Sequence, residues 1–430
     1  MPSLKTSQLP AIDRISTRRA TLLVAPTGAG KTVICLSSVK KVIDANKIKR
    51  VIVACPAKVV GVWPKEVKKW DHLKGLKVIT LTGDPAQREK ALKQNADVLV
   101  ISLNNLDWLL NQKHGADGII IDELSKAAGK QTKGLNTKRR GDCFIYRIGM
   151  TATPVSQDYQ KIFAMARLLD RGKALGSNKA EYLNKYFYSD YMGYNFTLKD
   201  GAAQRITGAI KNLVHIIDDT KEIDLPKLHS HVIEFEMPED TRKIYNKMKK
   251  SMIVEGVEAD AVNAAVRDGK MRQISSGFVY SEDKEVICLD DARRDAAVDW
   301  WIDSGKPCAV IFYEFVAQGD KLRKVFAKYL ATSVEKFMSG KGRVLVAQIS
   351  SLSHGVDGLQ DVCSHGLMYH PMWSRDATEQ ATGRLWRTGA AEDVHITTLQ
   401  CENTLDALVA LRVEDRGEWM RLFKKHLGAK

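Results

Sequence analysis

The chain lacks several features that would have set its class at once. Its seven cysteines include no CxxC pair, and neither a low-complexity tract nor a short-period repeat interrupts the sequence. An odd, scattered set of thiols argues against a disulfide framework or a zinc cluster and fits a reducing compartment. No apolar run approaches the roughly 18 residues that span a bilayer. The opening MPSLKTSQLPAIDRI has no apolar core of signal-peptide length. The expectation is a soluble, intracellular, cytoplasmic protein with no membrane partner. Acidic residues are also in short supply, 51 against 66 lysines and arginines, a formal charge of +15. That imbalance points to a polyanion such as nucleic acid, a merely soluble basic protein being the alternative.

What is present is ordinary in bulk and patterned in detail. With 430 residues, 44% apolar and 27% charged, the chain is long enough for two or three domains with their own cores. The apolar runs TLLVA, VIVAC, KVITL, DVLVI, GIIID and YRIGM alternate with amphipathic stretches such as VICLSSVKKVI and PKEVKKW. This is the rhythm of a mostly parallel sheet with helices between its strands. The rhythm breaks near Asp170 and returns with HVIEF, CAVIFY, RVLVA, HGLMY and VHITTL. The predicted fold is α/β, two parallel-sheet lobes in tandem, with a mostly helical insert at 171–225 between a first lobe at 1–170 and a second at 226–430. Tyr182, Tyr186, Tyr188, Tyr191 and Tyr194 in the insert either pack it down or stack on bases, and packing is the simpler expectation. His229 and His231 share one strand face with no acidic or thiol partner near, so no metal site is read there, and Trp300 and Trp301 read as helix core.

The stretch APTGAGKT, Ala25 to Thr32, ends as a phosphate-binding loop does, but Ala25 stands where the usual pattern has glycine. It follows an apolar strand and opens a helix, which is the context that gives the motif meaning. Amides from Gly28 to Thr32 would face anionic phosphates at a helix N-terminus. Lys31 would neutralise the β- and γ-phosphates of ATP, and the Thr32 hydroxyl would hold Mg²⁺. GIIIDEL puts Asp122 and Glu123 directly after a buried strand, Asp122 to serve the Mg²⁺ shell and Glu123 to orient and deprotonate the attacking water. In RDATEQATGRLWRTG, Gln380, Arg384 and Arg387 are spaced to share one face of a helix, as groups reaching a γ-phosphate across a cleft would.

Together these motifs resemble those of superfamily 2 helicases, where the loop commonly reads TGxGKT without the upstream glycine. The resemblance runs over nearly the whole chain. Gln8 resembles the glutamine that reads adenine; CPAKVVGVW and ISLNNL resemble motif Ia and a following DNA-contact segment; GMTATP resembles the motif linking hydrolysis to domain movement. SHGVDGLQ and QATGRLWR resemble motifs V and VI. The words PMWSRDATEQATGRLWRTGAAEDVHITTL, NTLD and KMRQISSGFVY are most similar to the Swi/Snf-type, remodeller-related branch, and the compactness is similar to its phage-encoded members. Two departures stand out. Thr388, Gly389 and Ala390 leave out a glutamine that usually closes the last motif. The acidic box reads DELS where relatives often carry histidine, so the histidine's contact to the coupling motif would have to come from Ser125 or be absent.

The resemblance implies a DNA-dependent ATP hydrolase whose recombinase-like lobes close on ATP and reopen on hydrolysis, moving along or unwinding duplex, forked or branched DNA. By motif position, Gln8, Thr27, Gly28, Ala29, Gly30, Lys31, Thr32, Gly355, Asp357 and Gln380 would bind the nucleotide; Thr32 and Asp122 would serve the metal. Lys31, Asp122, Glu123, Arg384 and Arg387 would be catalytic. Lys58, Ser102, Asn104, Lys126, Thr151, Tyr313, Ser353 and His354 would touch the track, mainly at phosphates. Lys243, Lys247, Lys249 and Lys250 read first as a solvated helix face. Accessory replication or recombination proteins and a monomeric state are further implications. Three alternatives stay open: an RNA helicase of the same superfamily, a non-catalytic ATP-dependent clamp or adaptor, and the motor part of a restriction nuclease, for which no metal-nuclease constellation is found.

Overall fold

The computed structural model describes residues 3–26, 28–128, 132–136, 141–154, 159–190, 196–217, 225–254, 261–349, 358–387, 389–411, 421, 423 and 427, excepting the side chains of 133, 136, 250–254, 261–265, 375 and 376. Two compact units emerge: Met1–Ile223 with Arg416–Lys430, and Asp224–Asp415.

The first unit is built on seven strands, β1 (Ala20–Val24), β2 (Val51–Cys55), β3 (Val78–Leu81), β4 (Val98–Ser102), β5 (Gly118–Ile121), β6 (Tyr146–Thr151) and β9 (Val214–Ile216). They lie in the order β3-β4-β2-β5-β6-β1-β9, and every pairing is parallel. β2, β4, β5 and β6 are buried along their whole length, as strands covered by helices on both faces must be. That double cover explains why VIVAC and GIII read as unbroken apolar runs and not as alternating ones. One face carries Leu22, Ile52, Leu99 and Ile119; the other carries Leu23, Val53, Val100 and Ile120. Because the strands are parallel, the loops after β1, β2, β4, β5 and β6 all leave from one edge. Residues beyond 170 stay with this unit. Tyr182 and Tyr186 are buried in its core, Tyr188 is exposed, and Tyr191 and Tyr194 lie outside the described residues. Phe423, completely buried, packs its ring 6.3 Å from that of Tyr159. The three-residue strand β9 was not foreseen; it is too short for any periodicity to mark it.

The second unit carries β10 (Leu228–Phe235), β13 (Ala309–Tyr313), β14 (Val344–Gln348), β15 (His365–Met368) and β16 (Val394–Cys401) in the order β10-β16-β15-β13-β14, again all parallel. A separate hairpin pairs β11 (Phe278–Tyr280) with β12 (Val286–Cys288). Trp300 and Trp301 are buried on one sheet face, and Trp300 donates its indole N–H to Thr397 at 3.0 Å. All eleven strands read from the sequence are present, and β7 (Phe187–Ser189) with β8 (Phe196–Leu198) adds a short antiparallel pair in the first unit.

Candidate functional site

The loop after β1 turns through Gly28 at φ 85° and Gly30 at φ 79°, conformations that favour glycine, and delivers Lys31 and Thr32 as the first residues of the helix Lys31–Asp44. Ala25 is buried and its amide donates to the Thr151 carbonyl at 3.1 Å, so the loop is tied to the end of β6. A side chain at Gly30 would also collide with the Gln8 amide. Gln8 itself is buried against the loop, donating from Nε2 to the Ala29 carbonyl at 3.0 Å and accepting from the Lys5 amide at 3.0 Å. Lys31 lays its ammonium across the loop, within 2.9 Å of the Ala25 and Pro26 carbonyls.

Two strands over, β5 is followed directly by Asp122 and Glu123. The Asp122 amide donates to the Ala54 carbonyl at 2.9 Å, and the Glu123 amide donates to Asp122 Oδ1 at 3.0 Å. Burial and the neighbouring Glu123 push the Asp122 carboxyl up to about 6, while Lys31 pulls it down. Glu123 adopts φ 53°, ψ 44°, a left-handed conformation unusual for a non-glycine residue. Lys126 pairs with Glu123 Oε2 at 3.6 Å.

The DELS departure resolves cleanly. The Thr151 hydroxyl, completely buried, donates to Ser125 Oγ at 2.8 Å and accepts from the Thr153 amide at 3.1 Å. The acidic box and the GMTATP segment are thus joined by two hydroxyls. The same observation corrects the expectation for Thr151, which has no surface to offer a phosphate. Ser102 is also buried, whereas Lys58 and Asn104 are exposed in the turns that leave β2 and β4. The carboxyl edge of this one sheet accordingly gathers Gln8, the loop, Asp122, Glu123, Ser125 and Thr151, with Lys58, Asn104 and Lys126 beside them. Open α/β sheets bind their ligands at this edge.

In the second unit, Gln380 and Arg384 lie on the helix Arg375–Leu385, which is capped by the Ser374 hydroxyl. Arg387 does not continue it. The chain leaves helical geometry at Trp386 (φ −90°, ψ 88°), whose indole N–H donates to the Pro226 carbonyl at 2.8 Å. Arg387 then begins a turn in which the Ala390 amide donates to its carbonyl at 3.1 Å, with Gly389 at φ 100°. A spacing of four and three does not put all three side chains on one helix, because the helix ends first. Tyr313 is the other correction: it is buried, its ring against Gly319 and its hydroxyl held by Arg323 at 2.6 Å, so it does not face a track. Lys243 pairs with Glu239 at 3.3 Å and Asp240 at 3.2 Å on an exposed helix face, and Lys247 and Lys249 are exposed too. Thr27, Ser353, His354, Gly355 and Asp357 lie outside the described residues.

One premise about the histidines also changes. Asp393 Oδ2 lies 3.0 Å from His229 Nε2, and the parallel register lines up His229, His395 and His365 across three strands. The rings stack with centroids 4.8 Å and 5.0 Å apart, with His231 Nε2 at 3.4 Å from His395 Nδ1. Asp393 is distant in sequence, so only the strand pairing reveals it. Among the described residues, no three histidine, cysteine or acidic groups are disposed to hold a metal ion, and no helix is long and apolar enough to cross a membrane.

Residues 12–285 match the family described as the SNF2-related domain. Protein p41 of Acyrthosiphon pisum secondary endosymbiont phage 1 is 26% identical over 419 residues, covering 90% of each chain. The uncharacterized ATP-dependent helicase YqhH of Bacillus subtilis is 20% identical over 456 residues, 95% of this chain and 76% of that protein. The DNA repair and recombination protein RAD54B of Gallus gallus is 28% identical over 172 residues, 38% of this chain and 18% of that protein. Among solved structures, the Sulfolobus solfataricus SWI2/SNF2 ATPase core in complex with dsDNA aligns over 100% of this chain and 94% of that one, with a TM-score of 0.47 and 17% identity.

Proposed function

Because the chain belongs to the SNF2-related family, we propose that it is an ATP-dependent DNA translocase or helicase, hydrolysing ATP to move along or unwind duplex or branched DNA. The observation that carries this reading is the gathering of Lys31, Asp122, Glu123 and the Ser125–Thr151 hydroxyl pair at one sheet edge. The left-handed glycines leave the loop amides of Gly28 to Thr32 to hold the β- and γ-phosphates, and Lys31 exchanges its two carbonyl partners for phosphate oxygens. Gln8, fixed to the loop at Ala29, meets the adenine.

Mg²⁺ fits the donor set. Asp122 is a carboxyl raised by burial and a like charge, which a cation stabilises in its ionised form, and the Thr32 hydroxyl is a second hard oxygen donor. When bound, the ion supplies charge neutralisation at the β- and γ-phosphates. Glu123 orients the attacking water and accepts its proton; the guanidiniums of Arg384 and Arg387, from the second unit, stabilise the charge that spreads over the γ-phosphoryl oxygens. Lys58, Asn104 and Lys126 are the exposed candidates for backbone contacts to DNA on the first unit.

Steady-state ATP turnover tests the reading, measured alone and with single-stranded DNA, duplex, fork and RNA. Strong stimulation by duplex or fork is expected, with Glu123→Gln lowering turnover by about 10²- to 10⁴-fold while nucleotide binding persists. Stimulation by RNA alone would make it an RNA helicase. ATP binding without turnover on any of these would make it a clamp.

A further inference from the structure

The helix bearing Gln380 and Arg384 is entered through six residues, Tyr369 to Ser374, that connect it to β15. Two buried guanidiniums hold that connection. Arg293, almost fully buried, donates to the Tyr369 carbonyl at 2.8 Å, the Leu399 carbonyl at 3.2 Å and the Ser275 carbonyl at 3.0 Å, and its remaining charge meets Asp406. Arg272, from the helix Ala261–Ser275, reaches further along the loop. Its Nη2 lies 2.9 Å from His370 Nδ1 and donates to the Pro371 carbonyl at 3.3 Å. Its guanidinium lies 5.5 Å from the Trp373 ring on this loop and 5.7 Å from the Phe315 ring. Glu314, just past β13, completes the fork with bonds of 3.2 Å and 2.7 Å to Nη1 and Nη2.

This arrangement does more than fill space. Ion pairing alone would not require a planar fork, since a lysine ammonium offers charge without fixed direction. Here the plane of Arg272 is set by a bidentate carboxylate and by two aromatic faces, and its outer edge is what fixes the loop. His370 is buried, and burial together with Arg272 and Arg293 holds it well below the usual imidazole range, with its Nδ1 2.9 Å from both Arg272 Nη2 and the Pro371 carbonyl. Past Ser374 the helix is locked by Ala381 and Leu385 in the core with Met372. Met372 of the loop and Ala381 and Leu385 of the helix thus share one core, so the loop and the helix are packed as one piece.

We propose that Arg272 is a positioning residue for γ-phosphate chemistry: held in plane by Glu314, it fixes the His370–Trp373 loop and through it the placement of Arg384. The proposal rests on the ATP-hydrolysing reading above. Misplacing a catalytic group by about 1 Å lowers a rate about 10²-fold. Arg272→Lys keeps the charge and loses the fork, so kcat is expected to fall roughly 10- to 100-fold. KM for ATP should stay within about two-fold, because the phosphate loop belongs to the other unit. Glu314→Gln, which frees the fork without emptying the site, should fall in the same direction.

The decisive measurement is a double-mutant cycle with Arg384→Ala. If Arg272 acts through Arg384, the double variant is no slower than Arg384→Ala alone. A general loss of structure would instead multiply the two effects and lower the thermal midpoint. Independent, multiplying losses overturn the proposal, as does Arg272→Lys with wild-type kcat. Should Arg272→Lys not fold, the cycle is run with Glu314→Gln and read the same way. A wild-type protein with no ATP turnover on any nucleic acid overturns the functional reading and this proposal with it. Normal wild-type turnover with an unaffected Arg272→Lys overturns this proposal alone.

Discussion

Glu123 and Ser125 show how much single residues decide. Glu123 holds a left-handed backbone that a glutamate adopts only where its surroundings impose it, and here the strand end at Asp122 and the helix start at Leu124 do so. Ser125 stands where the motif resemblance leads one to expect a histidine, and it is joined to Thr151 through one buried hydroxyl pair. Ser125→Ala should destabilise the first unit by about 1 kcal/mol, since a buried hydroxyl loses one of its partners. On the proposed function it should also cut duplex stimulation of ATP turnover more than it changes KM for ATP. Unchanged stimulation would make the pair purely structural.

Elements are where register and helix length override residue spacing. Arg387 falls off its helix because Trp386 is captured by the Pro226 carbonyl, a partner 160 positions away that no local pattern marks. The histidine row is likewise a product of parallel pairing across β10, β16 and β15. Burial and the neighbouring imidazoles hold His365 and His395 below the usual value, His395 facing His229 and His231, with Glu392 and Asp393 opposing. A lowered pKa in the fold means that the neutral ring is favoured there. Stability is fully present above the unfolded histidine value of about 6.5 and is lost as pH falls below it. Thermal midpoints should therefore drop as pH falls below about 6.5, and His395→Asn should flatten that slope. A second element-scale test is the buried Arg293–Asp406 pair, whose Asp406 also accepts from the Cys401 amide at 3.0 Å. Arg293→Met would strand that carboxylate and should lower stability by about 3–5 kcal/mol in urea titration.

For the molecule as a whole, the excess of 15 positive charges is the property most directly tied to a nucleic-acid partner. If those charges meet DNA phosphates, binding releases counterions and weakens with salt. Duplex affinity is expected to fall by about 10³-fold or more between roughly 50 and 200 mM salt, measured by fluorescence anisotropy. A flat salt profile would mean that the basic surplus serves solubility instead.

The strand runs, the phosphate loop and the acidic box were all legible because each depends on local chemistry: apolar runs long enough to be buried on both faces, glycines where φ is positive, and carboxylates directly after a strand. Gln8 beside the loop and Ser125 beside Thr151 were legible only as possibilities of a resemblance. Tertiary structure decided the rest. It buried Thr151 and Tyr313, ended a helix before Arg387, gave His229 its Asp393, and set Arg272 and Arg293 around the loop that feeds the arginine helix. Each of these depends on partners far apart in the chain. Burial and hydrogen bonding between such partners are fixed by how sheets and helices pack, and residue spacing along one segment carries no record of it.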